Sequence, residues 1–364
     1  MNINDVRRDP FCLDAFDLKT LKTRPRVIVT NEPLAPLSEE GLVKHIEPPA
    51  WVGRFLKQIP ANGFLNWLAA FLVAARLVRE MRHTDAVGLF SLGHLSGNIF
   101  CFLNSFKCFR RGPVLLYRVL LPADAGRLRT YFIGRALRSV SLIAVWSRPQ
   151  IENYHRAFEC PREKFVFLPY KTNHSRWGRS APMPVGDYIF SGGNSERDYK
   201  TLFEAVRELA IPVIVSVTKR RILDGLTVPQ NVILVGTEKQ AFERLMAGSR
   251  MVALCLKKEM IRGSGEATML NAMWHGKAVV IADDISAADY IQDGVDGFIV
   301  PAASAAQMRK RILELWNDPA SAARMGEAAR RKVAGLYTHQ QHKVRMQTLA
   351  MLVFEAAQAG EAGL

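Results

Sequence analysis

The chain has 364 residues, 49% of them hydrophobic, with a formal charge of +15 and five cysteines. That length exceeds one ordinary core and suits two domains of about 150 residues or more, and the absence of a repeat period or low-complexity tract excludes a solenoid and a disordered tail. Cys12, Cys101, Cys108, Cys160 and Cys255 are scattered and never in CxxC spacing, which excludes a disulfide framework and a thiolate zinc site and fits a reducing cytoplasm.

The first 25 residues alternate charged and apolar side chains and lack the continuous apolar core of a signal peptide. Residues 26–30 (RVIVT) then read as a first buried strand, followed by 86–90 (AVGLF), 114–117 (VLLY), 142–145 (LIAV) and 165–168 (FVFL). The most apolar stretch, 64–77 (FLNWLAAFLVAARL), is too short to span a bilayer and carries Asn66 and Arg76. It reads as a buried domain helix, with a helix lying on a membrane surface as the alternative.

Residues 170–186 have the Pro, Gly and Ser content of a linker, after which the pattern restarts. Strands are predicted at 188–190, 213–217, 232–235, 251–254, 279–282 and 298–300, and helices from about 199 and over 241–247. A last helix, 338–357, needs a partner for its apolar face. The division is therefore 1–174, 175–337 and 338–364, with the last piece packing back on the first domain. Alternating strands and helices argue two α/β, doubly wound, Rossmann-like domains facing a central cleft, which collects ligands at the strands' carboxyl ends.

Charge is unevenly spread. Residues 1–180 hold 27 Lys and Arg against 14 Asp and Glu, whereas the rest hold 22 against 20. Arg127, Arg129, Arg135 and Arg138 are among the basic residues on helix-like segments of the first half. Such a face suits an anionic membrane surface or a phosphorylated substrate, or is simply solvated. No zinc-finger spacing, RNP-like motif or helix-turn-helix pattern accompanies it, so nucleic acid is not the expected partner.

The most informative stretch is GSGEATMLNAMWHG, residues 263–276. Met269, Leu270 and Met273 mark a helix over about 266–275, Ser264 is a suitable cap, and Gly276 is placed to end it in a left-handed conformation. Its first amides, on Glu266, Ala267 and Thr268, lack intrahelical acceptors, and the glycines before them let a phosphate approach. Glu266 alternatively only complements the helix dipole.

NAMWHGKAVVIADDISAADYIQDGVDGFIVP (271–301), WNDPASAARMGEAARRKV (316–333) and SGGNSERDYKTLFEAV (191–206) together resemble the donor half of the family 4 retaining glycosyltransferases of GT-B fold. The resemblance covers about residues 185–357 and is weaker over 1–170. The family usually carries two Glu residues, the second directly before Ala-Met; here those positions are Gly263 and Asn271. The resemblance implies that Asn271 faces the nucleotide ribose and that Glu266 takes over contact with the transferred sugar, in a loop similar to an SGQ-type variant. It also implies that Gly193, Arg197, Lys219, Gly265, Ala267 and Thr268 hold the donor diphosphate. Val235, Gly236 and Thr237 stand where relatives hold the base through backbone groups, and His94 resembles the His beside the sugar. Arg118 and Lys171, at predicted strand ends of the first domain, are candidate acceptor-side cations.

The implied activity is metal-independent, retaining transfer of a sugar, hexosyl in type, from a nucleotide diphosphate sugar to a glycan or lipid-linked acceptor. No resident cofactor is expected, since the nucleotide sugar is a co-substrate. The implied setting is bacterial surface polysaccharide synthesis in the cytoplasm, peripheral on the inner face of the membrane. A catalytically degenerate homologue that binds glycan or membrane, and a nucleotide-sugar epimerase, are the competing readings; nucleotide calorimetry separates the first and donor-only incubation the second.

Overall fold

The computed structural model describes residues 1–25, 27–30, 43–46, 64–81, 85–92, 95–106, 112–121, 126–173, 185–258, 260–282 and 285–360. The chain divides into two compact units, Met1–Pro169 with Lys343–Leu364, and Tyr170–His342. Both boundaries lie about five residues outward of the expected second domain, because residues 170–173 and the start of the last helix are held by the second unit.

In the first unit six strands form one parallel sheet: β1 (Val27–Thr30), β2 (Val43–His45), β3 (Ala86–Ser91), β4 (Val114–Tyr117), β5 (Leu142–Val145) and β6 (Phe165–Phe167), in the order β2-β1-β3-β4-β5-β6. The strands β3 to β6 are buried along their whole length, as a sheet covered on both faces requires. Strand β2 (VKH) carries no apolar run to announce it, yet it pairs with β1 through Ile28 opposite Val43.

The helices here are α1 (Ile3–Arg8), α2 (Phe64–Glu80), α3 (Leu95–Asn104), α4 (Arg127–Arg138) and α5 (Arg148–Phe158). The apolar stretch is thus a domain helix: α2 buries Ala69, Val73, Ala74, Leu77 and Val78 at helical spacing. Among the described residues no helix is long and apolar enough to cross a membrane. The amino-terminal segment is structural, since an Asn2–Asp5 capping box opens α1, and Ile3, Val6, Leu13 and Leu21 enter the core.

The second unit repeats the design with β7 (Ile189–Gly192), β8 (Val213–Ser216), β9 (Val232–Val235), β10 (Met251–Leu254), β11 (Ala278–Ala282) and β12 (Phe298–Val300), all parallel in the order β12-β11-β10-β7-β8-β9. Its helices are α6 (Tyr199–Val206), α7 (Lys239–Gly248), α8 (Glu266–Trp274), α9 (Ala287–Tyr290), α10 (Ala305–Asn317) and α11 (Pro319–Leu336). Leu202, Phe203 and Val206 of α6 pack with Met308, Ile312 and Leu315 of α10 against Val213, Val215 and Val280. The last helix, α12 (His339–Gln358), carries Met346, Leu349, Leu352 and Val353 into the first unit's core.

In this sheet the chain runs outward from β7 through β8 to β9, then returns to β10 on the other side of β7. The β7/β10 junction is therefore a topological switch point, where loops leaving neighbouring strands diverge and leave room for a ligand.

Candidate functional site

The loops that follow β7 and β10 lie at this junction, and they are pinned to one another. Arg197 bridges to Leu256, the Asp198 amide donates to the Cys255 carbonyl at 2.9 Å, and the Lys257 amide donates to the Glu196 carbonyl at 3.1 Å. Between them Arg197 is buried, with 7% of its surface exposed. Its Nε donates to the Gly192 carbonyl at 2.9 Å, Nη1 to the Ser195 carbonyl at 2.9 Å, and Nη2 to Thr268 Oγ1 at 3.1 Å.

The guanidinium thus joins the glycine loop after β7 to the first turn of α8. Gly193 (φ +118) is required there twice over, for its backbone and because a Cβ would lie 2.7 Å from Arg197 Nη2. The neighbouring Tyr199 hydroxyl donates to the Gly193 carbonyl at 2.6 Å, and burial pushes that phenol up to about 12 despite the nearby Arg197. A positive charge held beside helix amides is suited to an anion with several oxygens.

Helix α8 starts at Glu266, as the sequence predicts, and Gly276 follows its end at φ +69. Its cap is different. Gly265, left-handed at φ +92, takes the N-cap position, and Ser264 Oγ instead donates to the Ser195 carbonyl at 3.3 Å. Ser264 is thus a strut between the two loops rather than a side-chain cap.

Glu266 is buried in the first turn. Its carboxylate folds back so far that a Cβ built on Gly263 would lie 1.9 Å from Oε1. The carboxylate therefore fills the side-chain space of residue 263, the position to which the resemblance assigns the first of the two usual Glu residues. Burial, together with this carboxylate, raises the Tyr290 phenol well above its ordinary range.

Asn271 stands one turn further along α8 and is 4% exposed. Its Oδ1 accepts from Thr172 Oγ1 at 2.9 Å and from the Asn173 amide at 3.0 Å, while Nδ2 donates to Glu243 Oε1 at 3.3 Å. Asn271 thereby holds the chain entering the second unit. The carboxylate in this neighbourhood is Glu243 of α7, whose Oε2 lies 3.9 Å from His275 Nε2. No sequence motif marks Glu243.

Lys219, Val235, Gly236, Thr237 and Ala267 end or follow strands of this same sheet or lie in α8. Lys219 is exposed after β8, its amide donating to Asn194 Oδ1 at 2.9 Å. Val235 ends β9, Gly236 follows it, and Thr237 Oγ1 lies 2.6 Å from Ser216 Oγ. Ala267 lies in the first turn of α8 beside Thr268. Of the acceptor-side pair, Arg118 is exposed after β4 at φ +52. Lys171, expected in the first domain, belongs to the second unit, where Nζ lies 3.3 Å from Asn173 Oδ1 and 4.7 Å from the Tyr170 ring. His94 lies outside the described residues. Among the described residues no group of three or more His, Cys, Asp or Glu side chains converges in a metal-binding arrangement.

Residues 218–332 match the model of the family described as glycosyl transferases group 1. No curated protein gives a significant sequence match. Among solved structures, sucrose-phosphate synthase from Thermosynechococcus elongatus aligns with TM-score 0.63 and 16% identity over 89% of this chain and 87% of that one. Anabaena HepE in complex with UDP aligns with TM-score 0.61 and 15% identity over 92% and 98%. S. aureus TarM, solved in a complex that includes UDP, gives 0.58 and 14% over 78% of this chain, which spans 58% of the TarM chain. These likenesses show the fold, two Rossmann-like units of the GT-B class.

Proposed function

We propose that the chain is a glycosyltransferase moving a sugar, hexosyl in type, from a nucleotide diphosphate sugar to a glycan or lipid-linked acceptor, with retention and without a metal, in surface polysaccharide synthesis at the inner membrane face. The observation that carries this is Arg197, buried and hydrogen-bonded at once to the Gly192–Ser195 loop and to Thr268 in the first turn of α8. The group 1 match over 218–332 and the UDP complex of HepE support a nucleotide ligand.

Arg197 and the α8 amides meet the diphosphate charge, more of which appears as the sugar–phosphate bond breaks. Lys219 and Gly265 border that anion, and Val235, Gly236 and Thr237 take the nucleoside. On the retaining route the acceptor oxygen bonds to the anomeric carbon from the face that the diphosphate leaves, and the acceptor proton passes to the departing phosphate oxygen. No carboxylate base is then needed. Glu266, in the space of residue 263, contacts the transferred sugar, while the sequence alone assigns His94, by the family resemblance, to that sugar and Arg118 and Lys171, by their predicted strand ends, to the acceptor.

Radiolabelled transfer assays with a panel of nucleotide sugars, with and without EDTA, test the reading. Transfer or slow donor hydrolysis that survives chelation is expected. A folded chain that shows neither, and binds no nucleotide, overturns it. Interconversion of the donor sugar without transfer identifies an epimerase instead.

A further inference from the structure

Leu128 and Tyr131, the two most exposed large apolar side chains among the described residues of the first unit, lie on α4 together with exposed arginines. On α4, helical spacing puts Leu128, Tyr131 and Phe132 on one side, opposite Gly134 and Leu137, which are buried. Gly134 sits so close to α5 that a Cβ would meet the Phe158 carbonyl at 2.3 Å, so this orientation of α4 is fixed. Phe102 of α3 and Phe106 just beyond it extend the patch, with ring centroids 5.6 Å apart for Phe102–Phe132 and 5.3 Å for Phe102–Phe106. These five side chains are between 37% and 71% exposed.

Arg127 and Arg129, both exposed, flank the apolar stripe on either side, and Arg135 lies at its centre with its guanidinium 4.9 Å from the Phe106 ring. Helices α3 and α4 contain no acidic residue.

We infer that the α3–α4 face is a docking surface for an anionic lipid bilayer, with the aromatic stripe in the interface and Arg127 and Arg129 among the headgroups. A second copy of the chain is disfavoured as occupant, because a two-fold contact would bring these arginines against their own equivalents. A soluble polyanion would pair with the arginines but leave Leu128 and the aromatic rings wet. A bilayer interface satisfies both. The inference rests on the membrane-face part of the proposed function but not on the donor site, and because its assay contains no nucleotide, its failure and that of the transfer activity are distinguishable.

The test is sedimentation of the full chain with vesicles of phosphatidylcholine alone or mixed with phosphatidylglycerol. Binding to the anionic vesicles at least tenfold tighter than to neutral ones, weakened by salt, is expected. Arg127→Gln with Arg129→Gln lowers that affinity by about 30-fold, at about a factor of five per arginine. Leu128→Asp with Phe132→Asp abolishes it, while Val295→Ser, at an exposed apolar site of the second unit, leaves it unchanged. Melting curves show that each variant is folded. Equal binding to both vesicle types, undiminished binding by folded patch variants, or light scattering showing a dimer that the patch variants dissociate would overturn the inference.

Discussion

Replacing Gly263 with Ala probes the central geometric feature of the site. A Cβ there lies 1.9 Å from Glu266 Oε1 and 3.0 Å from Ser286 Cβ, so the carboxylate has to retreat by roughly 1.5 Å to reach normal contact. An off-rotamer glutamate in a packed pocket costs about 1–2 kcal/mol, which lowers the melting temperature by about 2–4 °C for each kcal/mol. If the carboxylate occupies this space, Glu266→Ala makes room for the new methyl, and the double variant is more stable than the sum of the singles predicts by about 1 kcal/mol. Urea denaturation of the two single variants and the double variant, followed by far-UV circular dichroism, measures that coupling. Transfer assays on the same proteins should show Gly263→Ala impairing turnover much as Glu266→Ala does. Additivity within about 0.3 kcal/mol would refute the placement of the carboxylate.

Three further perturbations follow from contacts described or implied by the fold. Asn271→Glu sets a second carboxylate beside Glu243 and breaks the clamp on Thr172 and Asn173, destabilising the chain by about 2 kcal/mol, and adding Glu243→Gln restores part of the loss in the same denaturation assay. In the first unit the fully buried Arg345 of α12 makes a paired contact with Asp14, Nε to Oδ1 at 2.7 Å; Asp14→Ala alone should cost about 3 kcal/mol by stranding that charge, and Asp14→Ala with Arg345→Met clearly less. Lys277, just before β11, is buried beside a cavity of about 500 Å³, and burial lowers its ammonium below the ordinary lysine range. The unfolded chain then binds more protons than the native one between the lowered value and 10.5, so this group's contribution to stability rises with pH through that window. Lys277→Met should accordingly be most stabilising near neutral pH, the gain shrinking toward pH 10.5 in melts across the range.

The strands were legible because a parallel sheet covered on both faces demands near-continuous β-branched runs, and VLLY, LIAV and MVAL satisfy that demand locally. Strand β2 was not, since VKH owes its state to pairing with β1. Helix α8 and its closing Gly276 were readable from spacing, but its cap was not, because Ser264 is recruited by the Ser195 carbonyl across the site. The partners of Asn271 illustrate the limit most clearly. Thr172 and Asn173 lie nearly a hundred residues before it, and Glu243 sits on another helix, so the reason for an amide at 271 exists only in three dimensions. The charge asymmetry was visible as composition, whereas its convergence with exposed aromatic rings on α4 depended on which helix faces the fold buries.

Calorimetric titration of the full chain with uridine, guanosine, adenosine and thymidine diphosphates, repeated on Arg197→Gln, tests the proposed donor site most directly. At least one nucleoside diphosphate should bind the wild type, and the variant, folded by melting curve, should bind it at least about tenfold more weakly, the loss of a charge-assisted contact. A folded wild type that binds none of the four, or a variant that binds as tightly as the wild type, would contradict the assignment of Arg197 and the α8 amino terminus as the diphosphate site.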